Sequence, residues 1–177
     1  MKKLTIVFLL FTSYLISQNS NFIVESDGNI VFKKVYVLED NNKINLVNYL
    51  KTLSNIQITE SDNEITGTIE DLRINFKKFG KKGGYPIFLR YSLSSNFRIQ
   101  LKENKYRLII SNIGFLDDVS LYSSITYKES DNFTYLTEYY VKNDGSIRNN
   151  KMTIRTLDAI DKHLTTLFTI KQIDDDW

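Results

Sequence analysis

Hydrophobic and polar positions alternate along most of this chain, and the period of the alternation changes at definite points. Residues 29–39 set Ile30, Phe32, Val35 and Val37 among polar neighbours and are rich in β-branched and aromatic side chains, which predicts a half-buried strand. Asp40, Asn41 and Asn42 offer helix N-caps, and Ile44, Val47, Leu50 and Leu53 then recur every three residues, so a helix is expected over about 43–54. From residue 56 to residue 141 the period is two. Ile56 and Ile58 open a strand, Ser61, Asp62 and Asn63 turn it, and Ile65, Gly67 and Ile69 alternate in the next; Leu72, Ile74 and Phe76 repeat the pattern beyond Glu70 and Asp71. A loop with Gly80, Gly83, Gly84 and the single Pro86 leads to strands over 88–93, 97–101 and 106–110, separated by polar turns such as Glu103-Asn104. Residues 117–124 look irregular. Residues 124–127 and 133–141 read as strand again, joined across Glu129, Ser130, Asp131 and Asn132, and Asn143-Asp144-Gly145 makes a turn. Met152, Leu157, Ile160, Leu164, Leu167 and Phe168 then fall mostly three and four apart, which predicts an amphipathic helix over about 151–170, the longest of the chain.

A strand, a helix, several antiparallel strands and a final helix fit an α+β fold of two layers, a curved antiparallel sheet with both helices on its single apolar face. The uncovered face exposes alternate side chains. In a chain with 11 Tyr and 11 Phe, some rings are expected to meet water or a partner there.

The first 17 residues carry a different pattern. Lys2 and Lys3 precede an apolar run over 4–11 broken only by Thr5, and Ser17 offers the small side chain that signal peptidase needs before a cut at Gln18. The run is well short of the roughly 20 residues that cross a bilayer. Export with cleavage, to the periplasm or beyond the cell, is therefore expected, with no stable membrane anchor. The chain has no cysteine, hence no lipid-anchor thiol, disulfide or thiolate metal site. Residues 18–177 are long enough to bury about 70% of their unfolded surface in one unaided core, and a single domain is expected. Without Lys2 and Lys3 the basic residues number 21, equal to the acidic ones. A neutral domain lacks the long-range attraction to phosphate on which nucleic-acid binding depends, so that class of partner is excluded.

Residues 22–115 resemble a known family, the exported domain of unknown function with a TATA-binding-protein-like fold found in Gram-negative envelopes. The resemblance is carried by Val31-Phe32-Lys33-Lys34-Val35-Tyr36 leading into Leu46-Val47-Asn48-Tyr49-Leu50, by Ile65-Thr66-Gly67-Thr68, and above all by Lys105-Tyr106-Arg107-Leu108-Ile109-Ile110-Ser111-Asn112-Ile113. It implies a strand, a helix, four strands and a helix. It implies no activity and no catalytic residue, and the namesake's DNA binding does not follow, because that depends on a basic saddle and apolar wedges.

Candidate chemistry is sparse. His163 is the only histidine, and no paired His, Glu-x-x-His or Cys-x-x-Cys spacing accompanies it, so neither a catalytic nor a metal role is expected and no cofactor is implied. Asp117-Asp118 and Asp174-Asp175-Asp176 lack the spacing of a calcium loop and read as solvated segments. The most conspicuous stretch is residues 77–85, where Lys77, Lys78, Lys81 and Lys82 stand among Gly80, Gly83, Gly84, Phe79 and Tyr85. Backbone amides and lysines could receive an anion there, but a flexible hairpin is the commoner use of such a segment. Alternation puts Arg107 on the face opposite Tyr106, Leu108 and Ile110, where it is expected to pair with an acidic neighbour or point away from the core. Tyr122, Tyr127, Phe133, Tyr135, Tyr139 and Tyr140 crowd the region before the last helix; Tyr135 and Tyr139 are candidates for an exposed surface, and Phe133 for packing.

These features point to a non-catalytic exported binding module for a protein or envelope component, acting through the lysine-glycine loop or the open sheet face. The alternative is an accessory subunit of an envelope assembly, docked by a sheet edge. A concave aromatic patch would favour the first and a flat apolar edge the second; an enzyme would need carboxylates or His163 converging in a pocket.

Overall fold

The computed structural model describes residues 21–38, 43–116 and 133–170. The expected signal segment, the candidate caps Asp40, Asn41 and Asn42, the stretch with Asp117-Asp118, the expected strand at 124–127, Tyr122 and Tyr127, and Asp174-Asp175-Asp176 all lie outside the described residues. In chain order the elements are β1 (Phe22–Val24), β2 (Ile30–Val37), α1 (Lys43–Thr52), β3 (Ile56–Glu60), β4 (Glu64–Leu72), a one-turn α2 (Phe76–Phe79), a 3₁₀ turn (Ile87–Arg90), β5 (Ser92–Lys102), β6 (Lys105–Leu116), β7 (Phe133–Tyr135), α3 (Leu136–Tyr140) and α4 (Lys151–Phe168).

Among the described residues all the strands join one antiparallel sheet, in the order β1-β2-β6-β5-β4-β3, with β7 beside the far end of β6. Strands β3 to β6 form the expected meander, and β2 returns along the outer side of β6. Bulges between Ile69 and Leu72 and between Ser94 and Asn96 interrupt the register and bend the sheet. Phe32, Tyr36, Ile65, Leu93, Ile99, Tyr106, Leu108 and Ile110 from the strands meet Leu46, Val47 and Leu50 of α1 and Leu157, Ile160, Leu164 and Phe168 of α4 in one apolar cluster. The α+β two-layer arrangement, with the packed helices on one face, is thus as the pattern predicts. Polar ties hold the helices to each other and to the sheet. Tyr49 Oη donates to the Leu167 carbonyl at 2.8 Å, Tyr106 Oη donates to the Phe168 carbonyl, and the Asn21 backbone and side-chain amides donate to the Asp161 carboxylate at 2.8–3.1 Å.

Several local expectations need correction. Ile44 is 70% exposed and Leu46 is buried in its place. Three residues advance a helix by 300°, so a strict three-residue spacing drifts round the cylinder, and the buried stripe centres on positions 46, 47 and 50. Met152 is exposed for a related reason: it stands at the start of α4, where Asn150 Oδ1 accepts from the Met152 and Thr153 amides, on the side away from Thr153 and Thr156, which are buried. No separate strand covers 72–76; β4 continues through Glu70 and Asp71 to Leu72, and Asn75 then caps α2 by accepting from the Lys78 amide. Residues 87–90 make a 3₁₀ turn that buries the consecutive Phe88 and Leu89 before β5 begins at Ser92. The expected strand over 133–141 ends at Tyr135, and Leu136 and Tyr140, four apart, are both buried from the short α3.

Candidate functional site

The lysine-glycine segment is not a free hairpin. Its first part is α2, and its second part is fastened to α4. Tyr85 Oη accepts from the Lys81 amide at 2.7 Å and donates to the Lys81 carbonyl at 2.9 Å, while its ring lies 4.6 Å from that of Phe76. On the other side of the Tyr85 ring, at 5.0 Å, sits the guanidinium of Arg155, which donates to the carbonyls of Lys82 and Gly84. Gly83 has φ +133°, a backbone conformation that L side chains rarely adopt, and a Cβ there would displace the Arg155 guanidinium. Asp158 bonds Lys162 at 2.9 Å and reaches Lys81 at 3.5 Å. Burial works against ionisation of Asp158, yet the hydrogen bond and charge of Lys162, with Lys81 behind it, hold its pKa below the ordinary carboxylate value. Lys77, Lys78 and Lys82 remain exposed, Lys78 over the Phe79 ring.

His163 belongs to this same junction. Its ring stacks on Phe79 at 5.0 Å and 24°, and its Nδ1 accepts from the Asn75 amide at 3.2 Å. Burial, and then the charge of Lys78, lower its pKa. These contacts use the neutral ring to hold α2 on α4. Among the described residues no three His, Asp or Glu side chains gather as a metal ion would require, and no helix is long and apolar enough to cross a membrane.

Arg107 lies on the other side of the sheet. Register sorts the face turned away from α1 and α4 into rows: Val35, Arg107, Gln100 and Glu64 stand side by side on β2, β6, β5 and β4, and Lys33, Ile109, Arg98, Thr66 and Thr59 form the next row. Val37, Lys105 and Lys102 close the face at the β5–β6 hairpin. Glu25 holds Lys33 at 2.6 Å and Glu64 lies 3.6 Å from Arg98. Among the described residues no carboxylate comes within ion-pair distance of Lys102, Lys105 or Arg107, so the expected acidic partner of Arg107 is not there. Lys102 directly opposes Lys105, an arrangement of like charges that costs stability.

Tyr135 and Phe133 occupy this same face at the opposite end of β6, where they pair with residues 114 and 116. Phe133 packs, as expected: its ring covers Gly114, where a Cβ would stand 2.0 Å away. Tyr135, 40% exposed, lies 5.1 Å from it. Tyr139, on α3, is half exposed and sets its ring 4.3 Å from Phe88. The sequence-derived candidates are therefore dispersed: the lysines with Tyr85 on the helix side, Arg107 at the hairpin end of the open face, Tyr135 beside Phe133 at its far end, and Tyr139 on α3 against Phe88. The pattern did not single out Arg155, which fastens the loop, or Lys102, Lys105, Val35 and Val37, which surround Arg107. The two-residue turn at Glu103-Asn104 was a usable signal, because so short a hairpin sets positions 102 and 105 opposite each other. Nothing local signals that β2 lies beside them.

No family model matches the chain, and no curated protein does. Two solved structures are similar to it. One is a TBP-like protein from Parabacteroides distasonis, 14% identical, with a TM-score of 0.48 over 81% of this chain and 90% of that one. Another is a DUF4468 family protein from Bacteroides ovatus, 17% identical, with a TM-score of 0.40 over 84% of this chain and 91% of that one. Likenesses at this level say nothing of function, and the architecture rests on the strand order and registers above.

Proposed function

We propose that the chain is an exported, non-catalytic module that holds a protein partner or envelope component on the uncovered side of its sheet, at the end formed by Lys102, Lys105 and Arg107. The observation that carries this reading is that Lys102, Lys105 and Arg107, with no carboxylate in ion-pair distance among the described residues, stand beside Val35 and Val37, which are 59% and 77% exposed. Charges set against one another and valines left in water both cost stability, and a partner bringing acidic groups and apolar surface relieves both. The central rows carry no aromatic ring to stack on a small ligand, whereas the two exposed valines form an apolar margin. That margin favours the accessory-subunit version of the reading. The same reading takes the mature chain to begin at Gln18 and to act without metal, cofactor or nucleic acid.

Affinity capture from envelope extract tests it, with the wild-type chain compared against a Lys105→Glu/Arg107→Glu variant and the bound species identified by mass spectrometry. The wild type is expected to retain a species that the variant loses. Identical retention by both chains, or recovery of the native protein with an intact Met1 from the cytoplasmic fraction, overturns the reading.

A further inference from the structure

A second concentration of charge lies away from the open sheet face, on the helix side. Residues 76–85 carry Lys77, Lys78, Lys81 and Lys82 and no acidic side chain. Phe76 packs on Tyr85 and Phe79 stacks on His163, so these two positions, three apart on α2, face the body of the molecule. Lys77 and Lys78 between them face water, and Lys82 is exposed beyond the turn. On α4, Lys162 lies 2.9 Å and Lys81 of the loop 3.5 Å from the same carboxylate, that of Asp158. Among the described residues no carboxylate comes within ion-pair distance of Lys77, Lys78 or Lys82. Residues 18–177 carry equal numbers of acidic and basic side chains, so the patch is a local excess of positive charge on a neutral domain.

The kind of cation separates the possible anionic partners. Protein interfaces are rich in arginine and aromatic anchors and poor in lysine, whose head is strongly hydrated and whose long stem loses freedom when it is fixed. An anionic bilayer demands neither dehydration nor a fixed geometry. Lysine heads remain among the headgroups, each worth about fivefold in binding, while their stems and apolar neighbours rest at the acyl boundary. Such neighbours are present here. Phe79 is half-buried, with the Lys78 ammonium 5.1 Å from its ring centroid, and Ile87, two residues past Tyr85, is 68% exposed. Arg155, the guanidinium among these lysines, is engaged by the Lys82 and Gly84 carbonyls and the Tyr85 ring, and is not free to fork onto a carboxylate.

We infer that Lys77, Lys78, Lys81 and Lys82 form a reversible docking surface for an anionic bilayer, with Phe79 and Ile87 resting at the level of the headgroups. Charge draws the chain to the surface and the two apolar side chains add to its hold. The inference goes beyond the module reading and uses none of its residues. Because α2 lies on α4, and α4 packs on the covered face of the sheet, a chain held in this way keeps its open face clear for a partner.

The test is co-sedimentation of the full chain with vesicles of phosphatidylcholine alone or in equal mixture with phosphatidylglycerol. Whatever residues 1–17 contribute is common to every chain compared. The wild type is expected to bind the mixed vesicles at least tenfold more tightly than the neutral ones at low salt. That preference is expected to collapse near about 0.5 M salt, where charges are screened within about 5 Å. Lys77→Glu/Lys78→Glu is expected to reduce the preference at least tenfold. Lys105→Glu/Arg107→Glu, which changes the net charge equally on the other side of the sheet, is expected to keep it. Should the first variant fail to fold, Ile87→Glu reads the same surface and is expected to weaken binding to the mixed vesicles at least fivefold. Equal binding of the wild type to both vesicles, equal loss in the two charge-matched variants, or an Ile87→Glu chain that binds like the wild type overturns the inference. So does retention of poly-glutamate in place of the vesicles, which would assign the lysines to an acidic protein.

Discussion

His163 shows how far one residue's environment decides its role. Its Nδ1 accepts the Asn75 amide, which requires a lone pair on that nitrogen, and its ring lies on Phe79 with Lys78 nearby. Burial first, then the charge of Lys78, together with the accepted hydrogen bond, favour the neutral form, and the folded-state pKa is lowered from the usual 6.5. A group whose pKa is lower in the folded state takes up its proton more readily when unfolded. Its contribution to stability is complete above the unfolded value and is lost as the pH falls through the folded one. The melting temperature is therefore expected to drop on acidification from about pH 7 to about pH 5, and the drop is expected to be shallower in His163→Gln. Melting curves for the two chains across that interval decide the point; parallel curves would show that the ring does not titrate at the α2–α4 junction.

At the scale of elements, the junction of loop and helix depends on a few contacts around Tyr85 and Arg155. Residues 77–85 contain four lysines, and a lysine-rich loop is open to trypsin unless something holds it. Arg155 supplies that hold through two carbonyls and the Tyr85 ring. In Arg155→Ala, trypsin is expected to cut after Lys81 or Lys82 at least several times faster than in the wild type, while the far-ultraviolet circular dichroism stays the same. Proteolysis followed by mass spectrometry reads this directly, and an unchanged cutting rate would mean that the loop is held by Tyr85 alone. The same comparison bears on α4, whose acidic Asp158 stands between Lys81 and Lys162.

For the whole molecule, stability concentrates where the helices meet the sheet. Leu50, Ile160 and Leu164 are fully buried and Leu157 nearly so, all in the one apolar cluster. Truncating any of them to Ala is expected to cost roughly 2–5 kcal/mol by denaturant unfolding, since both transfer energy and a residual cavity count against the variant. Losses below about half a kcal/mol at most of these positions would place them outside the core. The open face is expected to behave oppositely. Arg107 and Lys105 hold no partner among the described residues, and changing them to Glu removes a like-charge opposition without opening a cavity, so the fold should tolerate the charge reversals used to test binding.

Local period read the buried side of most strands and helices, but in β2 it grouped Val35 and Val37 with Ile30 and Phe32, and the structure exposes both valines and buries Tyr36. Tyr106, Leu108 and Ile110 face the core and Arg107 faces away, and Leu157, Ile160 and Leu164 line one side of α4, because side-chain direction within an element follows backbone geometry that neighbouring residues already determine. The same logic read the two-layer α+β arrangement, in which one apolar sheet face needs one apolar helix layer. It misplaced Ile44 and read residues 136–140 as strand, where a few apolar positions fit more than one period and packing against the rest of the chain chose between them. Only the tertiary structure decided that β2 lies beside β6 and that Val37 meets Lys105 and Lys102 in one row. Strand neighbours are selected by long-range pairing and burial, which no local period encodes. The candidate site is made of those neighbours.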